Sequence, residues 1–185
     1  GFPHHALDTY LPKLVKAGHR VAVCEQLEDP KHAKGIVKRD VVEVVTPGVA
    51  FSEKLLDHKH FHYLAAVSLR EETAGVAFVD ASTGDFSVAE TRLPELRDLL
   101  ESIEPGEVLI AKKDADRFTA HFGRHPLAAS MTKLDDWLFS RDVGHELLVT
   151  HFKVQTLKSF GIEGMGEGII AAGAALHYLK ETQKA

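Results

Sequence analysis

The chain has 185 residues, 44% of them hydrophobic and 26% charged; that balance suits a folded globular protein and excludes a wholly disordered one. No apolar run approaches the ~18 residues needed to cross a bilayer, and a single cysteine, Cys24, excludes an internal disulfide framework or a cysteine-based zinc site. The net charge of −5 is uneven, with seven Lys/Arg against six Asp/Glu in residues 1–48 and 15 against 21 in the rest, so the acidic majority argues against wrapping nucleic acid with the whole surface.

Residues 8–16 carry Leu11, Leu14 and Val15 at helical spacing, continuing from Leu7. Gly18 stands where a left-handed residue closes a helix. Residues 19–24 alternate through Val21 and Val23 and predict a strand. Asp29-Pro30 can open a short helical turn that Gly35 ends. The β-branched run 41–45 predicts a second strand, which Thr46-Pro47-Gly48 stops. Helix, strand, turn and strand are too little to bury a core alone, so residues 1–48 are expected to be the end of something longer.

Residues 49–61 read as a connection into a second unit. Strands are predicted over 63–69, 75–80 and 85–89, the last two joined by Ala81-Ser82-Thr83-Gly84. Residues 93–103 form an amphipathic helix with Leu96, Leu99, Leu100 and Ile103 on one face. A buried strand over 108–111, a helix over 114–122, a short strand over 127–131 and a helix from 134 to 151, broken near Gly144, follow. The first three strands form an antiparallel meander; the later ones enter through helical crossovers and are expected to be parallel. The class is α/β with a mixed sheet. Residues 169–184 form a long helix whose Ala/Gly face is expected to pack on helices elsewhere.

Most chemistry-bearing residues have a plain structural reading. The glycines of 161–168 lack the Gly-Lys-Ser/Thr ending of a phosphate loop and read as loop. His58, His60 and His62 would share one face of a strand, as metal ligands can, but no carboxylate completes a recognisable set, and a solvated cluster is favoured. Asp80 ends a central strand, where a two-metal nuclease would place a carboxylate, yet no strand-borne acidic partner accompanies it; a turn residue bonding its own backbone is favoured. Cys24 is expected to be a buried, inert thiol. Lys31, His32, Lys34, Lys38 and Arg39 form the one basic cluster, able to hold phosphate oxygens or to be simply solvated. A metal-dependent nuclease of ribonuclease-H type, resting on Asp80, and a free-standing DNA-backbone-binding module, using the 31–39 cluster, are thus kept as alternative readings.

Four stretches, in order, cover nearly the whole chain: GFPHHALDTYLPKLVKAGHRVAVCEQLEDP (1–30); KGIVKRDVVEVVTPG (34–48); the pair FVDASTGDFSVAE (78–90) and LLESIEPGEVLI (99–110); and HFKVQTLKSFGIEG followed by AAGAALHYLKETQK (151–184). Together they resemble the MutS family of DNA mismatch-repair proteins. The resemblance implies that residues 1–48 are the C-terminal part of the mismatch-binding domain. It makes residues 49–150 a connector domain with a ribonuclease-H-like fold but no nuclease activity, and 151–185 the start of a helical core that leads to the levers. It implies a role in relaying between DNA-binding and ATPase ends. The family's Phe-x-Glu mismatch probe is expected upstream, Phe2 belonging to a different motif, and its ATPase domain downstream. Hence no catalytic residue, metal site or cofactor is expected here, whereas a longer parent would use ATP and Mg, bind mismatched double-stranded DNA and act as a homodimer in the cytoplasm, away from membranes. Lys34 and Arg39 match basic positions near the DNA backbone, Lys38 less closely. Asp142, His145 and Glu146 fall in the region resembling the surface that faces MutL.

Overall fold

Alternating apolar side chains organise a five-stranded sheet in the second half of the chain. The computed structural model describes residues 1–28, 36–49 and 63–183. The expected turn at Asp29-Pro30, the histidines 58, 60 and 62, and Lys31, His32 and Lys34 lie outside the described residues. Three strands, β3 (Tyr63–Arg70), β4 (Thr73–Asp80) and β5 (Asp85–Arg92), form the antiparallel meander, and β6 (Glu107–Ala111) and β7 (Met131–Leu134) run parallel to β3 in the spatial order β5-β4-β3-β6-β7. Successive side chains point to opposite faces of a strand. On β3, Ala65 and Val67 therefore join one core and Leu64 and Ala66 the other. This is the mixed sheet and strand arrangement expected from the sequence.

The two faces have different covers. One carries α2 (Leu96–Ile103) and α3 (Ala115–Phe122), with Leu96, Leu100, Phe118 and Phe122 buried on it. A short α4 (Pro126–Ala129) precedes β7. The other face carries α5 (Arg141–Phe152) and α6 (Glu167–Thr182). The Ala/Gly run of α6 does not await helices elsewhere: Ile169, Ala171, Ala172, Ala175 and Leu176 are buried in the core with Leu64, Ala66 and Val79 of the sheet. Small residues let the helix lie close. A Cβ on Gly75 of β4 would sit 2.1 Å from the Glu167 backbone, and one on Gly173 would sit 2.3 Å from the Cα of Gly144. Residues 167–182 thus pack on the sheet of the α/β unit.

Two other expectations are corrected. Residues 126–129 are a helical turn, with Pro126 at its first position and His125 Nδ1 accepting from the Leu127 N–H (3.3 Å), so the strand starts at Met131. Helix α5 begins only at Arg141, after Asp135 and a 3₁₀ turn at Asp136–Leu138, and runs unbroken through Gly144. Gly144 is there for closeness to α6, not as a breaker.

The N-terminal part is slighter. Helix α1 (Leu7–Lys16) covers one face of a two-stranded antiparallel ribbon, β1 (Val21–Gln26) and β2 (Arg39–Val45), through Leu11, Val15 and Val45. Gly18 takes φ +84°, as its position after the helix requires. Val21 and Val23 face this small core, so Cys24, next in the alternation, is exposed and not the buried thiol expected.

Candidate nucleic-acid interface and partner surface

The basic positions that the structure describes sit where the ribbon strands part. Arg39 opens β2 opposite Gln26, and its side chain is exposed. One residue earlier, the Lys38 N–H donates to Glu28 Oε1 (2.8 Å) and the Lys38 carbonyl accepts from the Leu27 N–H (3.0 Å). Those bonds fix the backbone, and the Lys38 side chain is exposed. Arg39, Gln26, Glu25 and Cys24 line a shallow hollow with Phe2 and Pro3. Each of these exposed cations can hold a phosphate oxygen. Glu25 and Glu28 beside them reduce the local positive field, so the patch suits positioning more than tight binding.

Asp142 and Glu146 lie exposed on the outer side of α5, while His145 is half-buried with its Nε2 3.7 Å from Glu163 Oε1. Glu163 has further work. Its Oε2 accepts from the Leu157 N–H (2.6 Å), and its carbonyl accepts from Arg141 Nη2 (3.1 Å). The three expected residues therefore share one helix, but His145 is engaged in fastening the loop after α5. Sequence reasoning missed the neighbouring hollow lined by Phe86, Val88, Leu148, Leu157 and Ile162, whose rim holds the half-exposed Phe152 and Phe160 with ring centroids 5.1 Å apart. The preceding His151 is held below the ordinary histidine range, first by burial and then by Lys180.

Asp80 is buried, and its Oδ1 accepts from the Ser82 N–H (2.8 Å) and Ser82 Oγ (2.6 Å). It shapes the β4–β5 turn. Among the described residues no group of three or more His, Cys, Asp or Glu side chains comes together as a metal would need.

A second buried carboxylate was not singled out from sequence. Glu107, the first residue of β6, is only 2% exposed. Its Oε1 accepts from Thr132 Oγ1 and Tyr178 Oη, each at 2.7 Å, and its Oε2 from the Gly48 N–H at 3.3 Å. Burial, followed by the Glu107 charge, drives the Tyr178 phenol far above its ordinary range, so it serves as a proton-bearing donor. Neither the strand pattern nor the charge pattern marks Glu107, because its donors lie 25, 59 and 71 residues away along the chain.

No helix among the described residues is long and apolar enough to cross a membrane. A family model described as MutS domain II matches residues 62–185, and one described as MutS domain I matches residues 1–54. The chain is 50% identical over 184 residues to a DNA mismatch repair protein MutS of Cytophaga hutchinsonii, covering 99% of this chain and 21% of that protein. A protein of the same name from Salinibacter ruber is 47% identical over 189 residues, covering 100% and 21%, and one from Chlorobaculum parvum is 48% identical over 192 residues, with the same coverage. The chain thus spans about one fifth of the length of the curated relatives it matches.

Proposed function

Because the chain belongs to the MutS family of DNA mismatch-repair proteins, we propose that it is a non-enzymatic connector region that relays between DNA-contacting and ATP-driven parts of a longer protein. The observation that carries this reading is the order of the matches: a domain I match over residues 1–54 spans the ribbon, and a domain II match begins at residue 62, one residue before the α/β sheet. A ribbon clasped to a well-packed α/β body is the arrangement a mechanical relay needs, since packed interiors transmit displacement instead of absorbing it.

In this reading Arg39 and Lys38, with Lys34, touch the phosphate backbone of mismatched duplex DNA. Such contacts set position without reading sequence, which suits a protein that must meet errors in any context. The outer side of α5, through Asp142, His145 and Glu146, faces MutL. ATP and Mg act in the longer protein, which works as a cytoplasmic homodimer. None of the residues described here is asked to break a bond.

The test is a salt titration of duplex binding by the intact longer protein and by its Arg39→Ala variant. Removing one phosphate contact lowers the magnitude of the log–log salt slope by about one and weakens binding similarly for every sequence. An unchanged slope removes Arg39 from the interface. Crosslinking to MutL checks the second surface: loss of crosslinks on reversing the charge of Asp142 and Glu146 together is the expected result.

A further inference from the structure

The turn between ribbon and sheet is built as a two-sided staple. Val45 is buried in the ribbon core and Val49 in the sheet core. Between them Thr46 and Val49 exchange backbone hydrogen bonds of 3.3 and 3.2 Å. The turn is pressed against the start of β6: a Cβ on Gly48 would stand 2.7 Å from the Glu107 Cβ, and one on Gly106 would stand 2.9 Å from the Pro47 carbonyl oxygen. Into this corner Glu107 projects a carboxylate held by three neutral donors, one from the turn (Gly48), one from β7 (Thr132) and one from α6 (Tyr178). On the ribbon side, the Arg20 guanidinium lies 5.5 Å from the centre of the Tyr178 ring.

A buried carboxylate tolerates its position only while its donors are in place. All three bonds depend on the one carboxylate, so displacing or removing it disturbs all three at once. Glu107 ties the turn to Tyr178 near the C-terminal end of α6, the helix whose first residue, Glu167, packs on Gly75 of β4. A shift of α6 along its axis would move Tyr178 away from the carboxylate and loosen Gly48 in the same event.

We propose that Glu107 is a coupling pin: a positioning residue whose carboxylate makes the orientation of the β1–β2 ribbon depend on the seating of α6. The pin concerns how two parts of this chain are joined, and it rests on the relay reading only for its purpose.

The chain carries its own probes. Trp137, the one tryptophan, is 58% exposed on the sheet unit, and Cys24, the one cysteine, is exposed on the ribbon. Energy transfer from Trp137 to an acceptor on Cys24 reads ribbon orientation, and hydrogen exchange at the Gly48 amide reads the pin. Glu107→Leu is expected to broaden the transfer distribution and to speed Gly48 exchange by at least roughly tenfold, the effect of losing a hydrogen bond to a charged group. Glu107→Gln is expected to restore both, because its carbonyl can accept from Gly48 while its amide donates to the two hydroxyls. Should Glu107→Leu fail to fold, Tyr178→Phe combined with Thr132→Val is read in the same way. Wild-type transfer and exchange in Glu107→Leu or in the double variant overturn the pin, as does a Gln variant as loose as the Leu one. Duplex binding by the same variants reads the relay separately: a loosened ribbon with unchanged DNA affinity keeps the pin and removes its proposed use.

Discussion

The ribbon and the sheet unit solve the burial problem differently. In the sheet unit Leu64, Ala65, Ala66 and Val67 are fully buried in succession, because helices cover both faces. Among the described residues of the ribbon and its helix, only Leu11, Val15 and Val45 are buried, and Leu27 and Ile36 stand 61% and 93% exposed. A two-stranded hairpin under one helix cannot desolvate enough apolar area to stand by itself. Its orientation must come from its attachments, whereas the sheet unit carries its own.

That contrast can be broken most sharply in the two cores. Phe118 is fully buried and stacks on Phe122 with ring centroids 4.4 Å apart. Phe118→Ala is expected to cost about 3–5 kcal/mol in urea unfolding. Leu11, at the edge of the thin ribbon core, is expected to cost about 2 kcal/mol or less when cut to Ala, the low end for a leucine. Equal losses would mean that the ribbon core is as well packed as the sheet. A step smaller is Gly173→Ala. Its new methyl meets Gly144 at the crossing of α5 and α6, and overpacking of that kind costs about 1–3 kcal/mol. Thermal unfolding checks it, and a neutral result would mean that the two helices can part without loss.

What was legible in the sequence follows the same division. Alternation marks β1, short apolar runs mark β3 and β6, and turn residues bound β4 and β5, each signal being settled by the segment's own side chains. Gly84 was read as a turn glycine and takes φ +80°. The order of elements also implied the mixed sheet, since a meander followed by helical crossovers leaves few topologies. The misreadings are tertiary. An Ala/Gly face announces close approach but not its partner, so sequence alone does not show that α6 packs on its own sheet. A contact glycine such as Gly144 and a breaking glycine look alike in one dimension. The apolar neighbours of Cys24 suggest burial, although the alternation of Val21 and Val23 puts it outside. Glu107 had no local signal at all: its donors meet only after the sheet, α6 and the turn are assembled.

The smallest expected effect tests whether the rim of the sheet unit is tuned as its interior is. Asp114, half-buried before α3, is held above the ordinary aspartate range by burial, with Lys113 and Arg117 pulling the other way and Asp136 and Glu167 adding to the rise. The folded chain therefore grips that proton harder than the unfolded chain does. At neutral pH the folded state carries an ionised carboxylate in a worse setting than water, which lowers stability; below the ordinary aspartate range both states are protonated and the penalty vanishes. Asp114→Asn removes the charge and breaks no capping bond, because the Asp114 side chain makes none to the helix. The variant is expected to be more stable at pH 7 by about 0.3 kcal/mol, a figure reduced for solvent screening of a partly exposed group. That gain should shrink toward zero as the pH falls through the aspartate range. If Asp114→Asn is instead less stable at neutral pH, the helix terminus outweighs desolvation, and the carboxylate is a support of the fold at its rim.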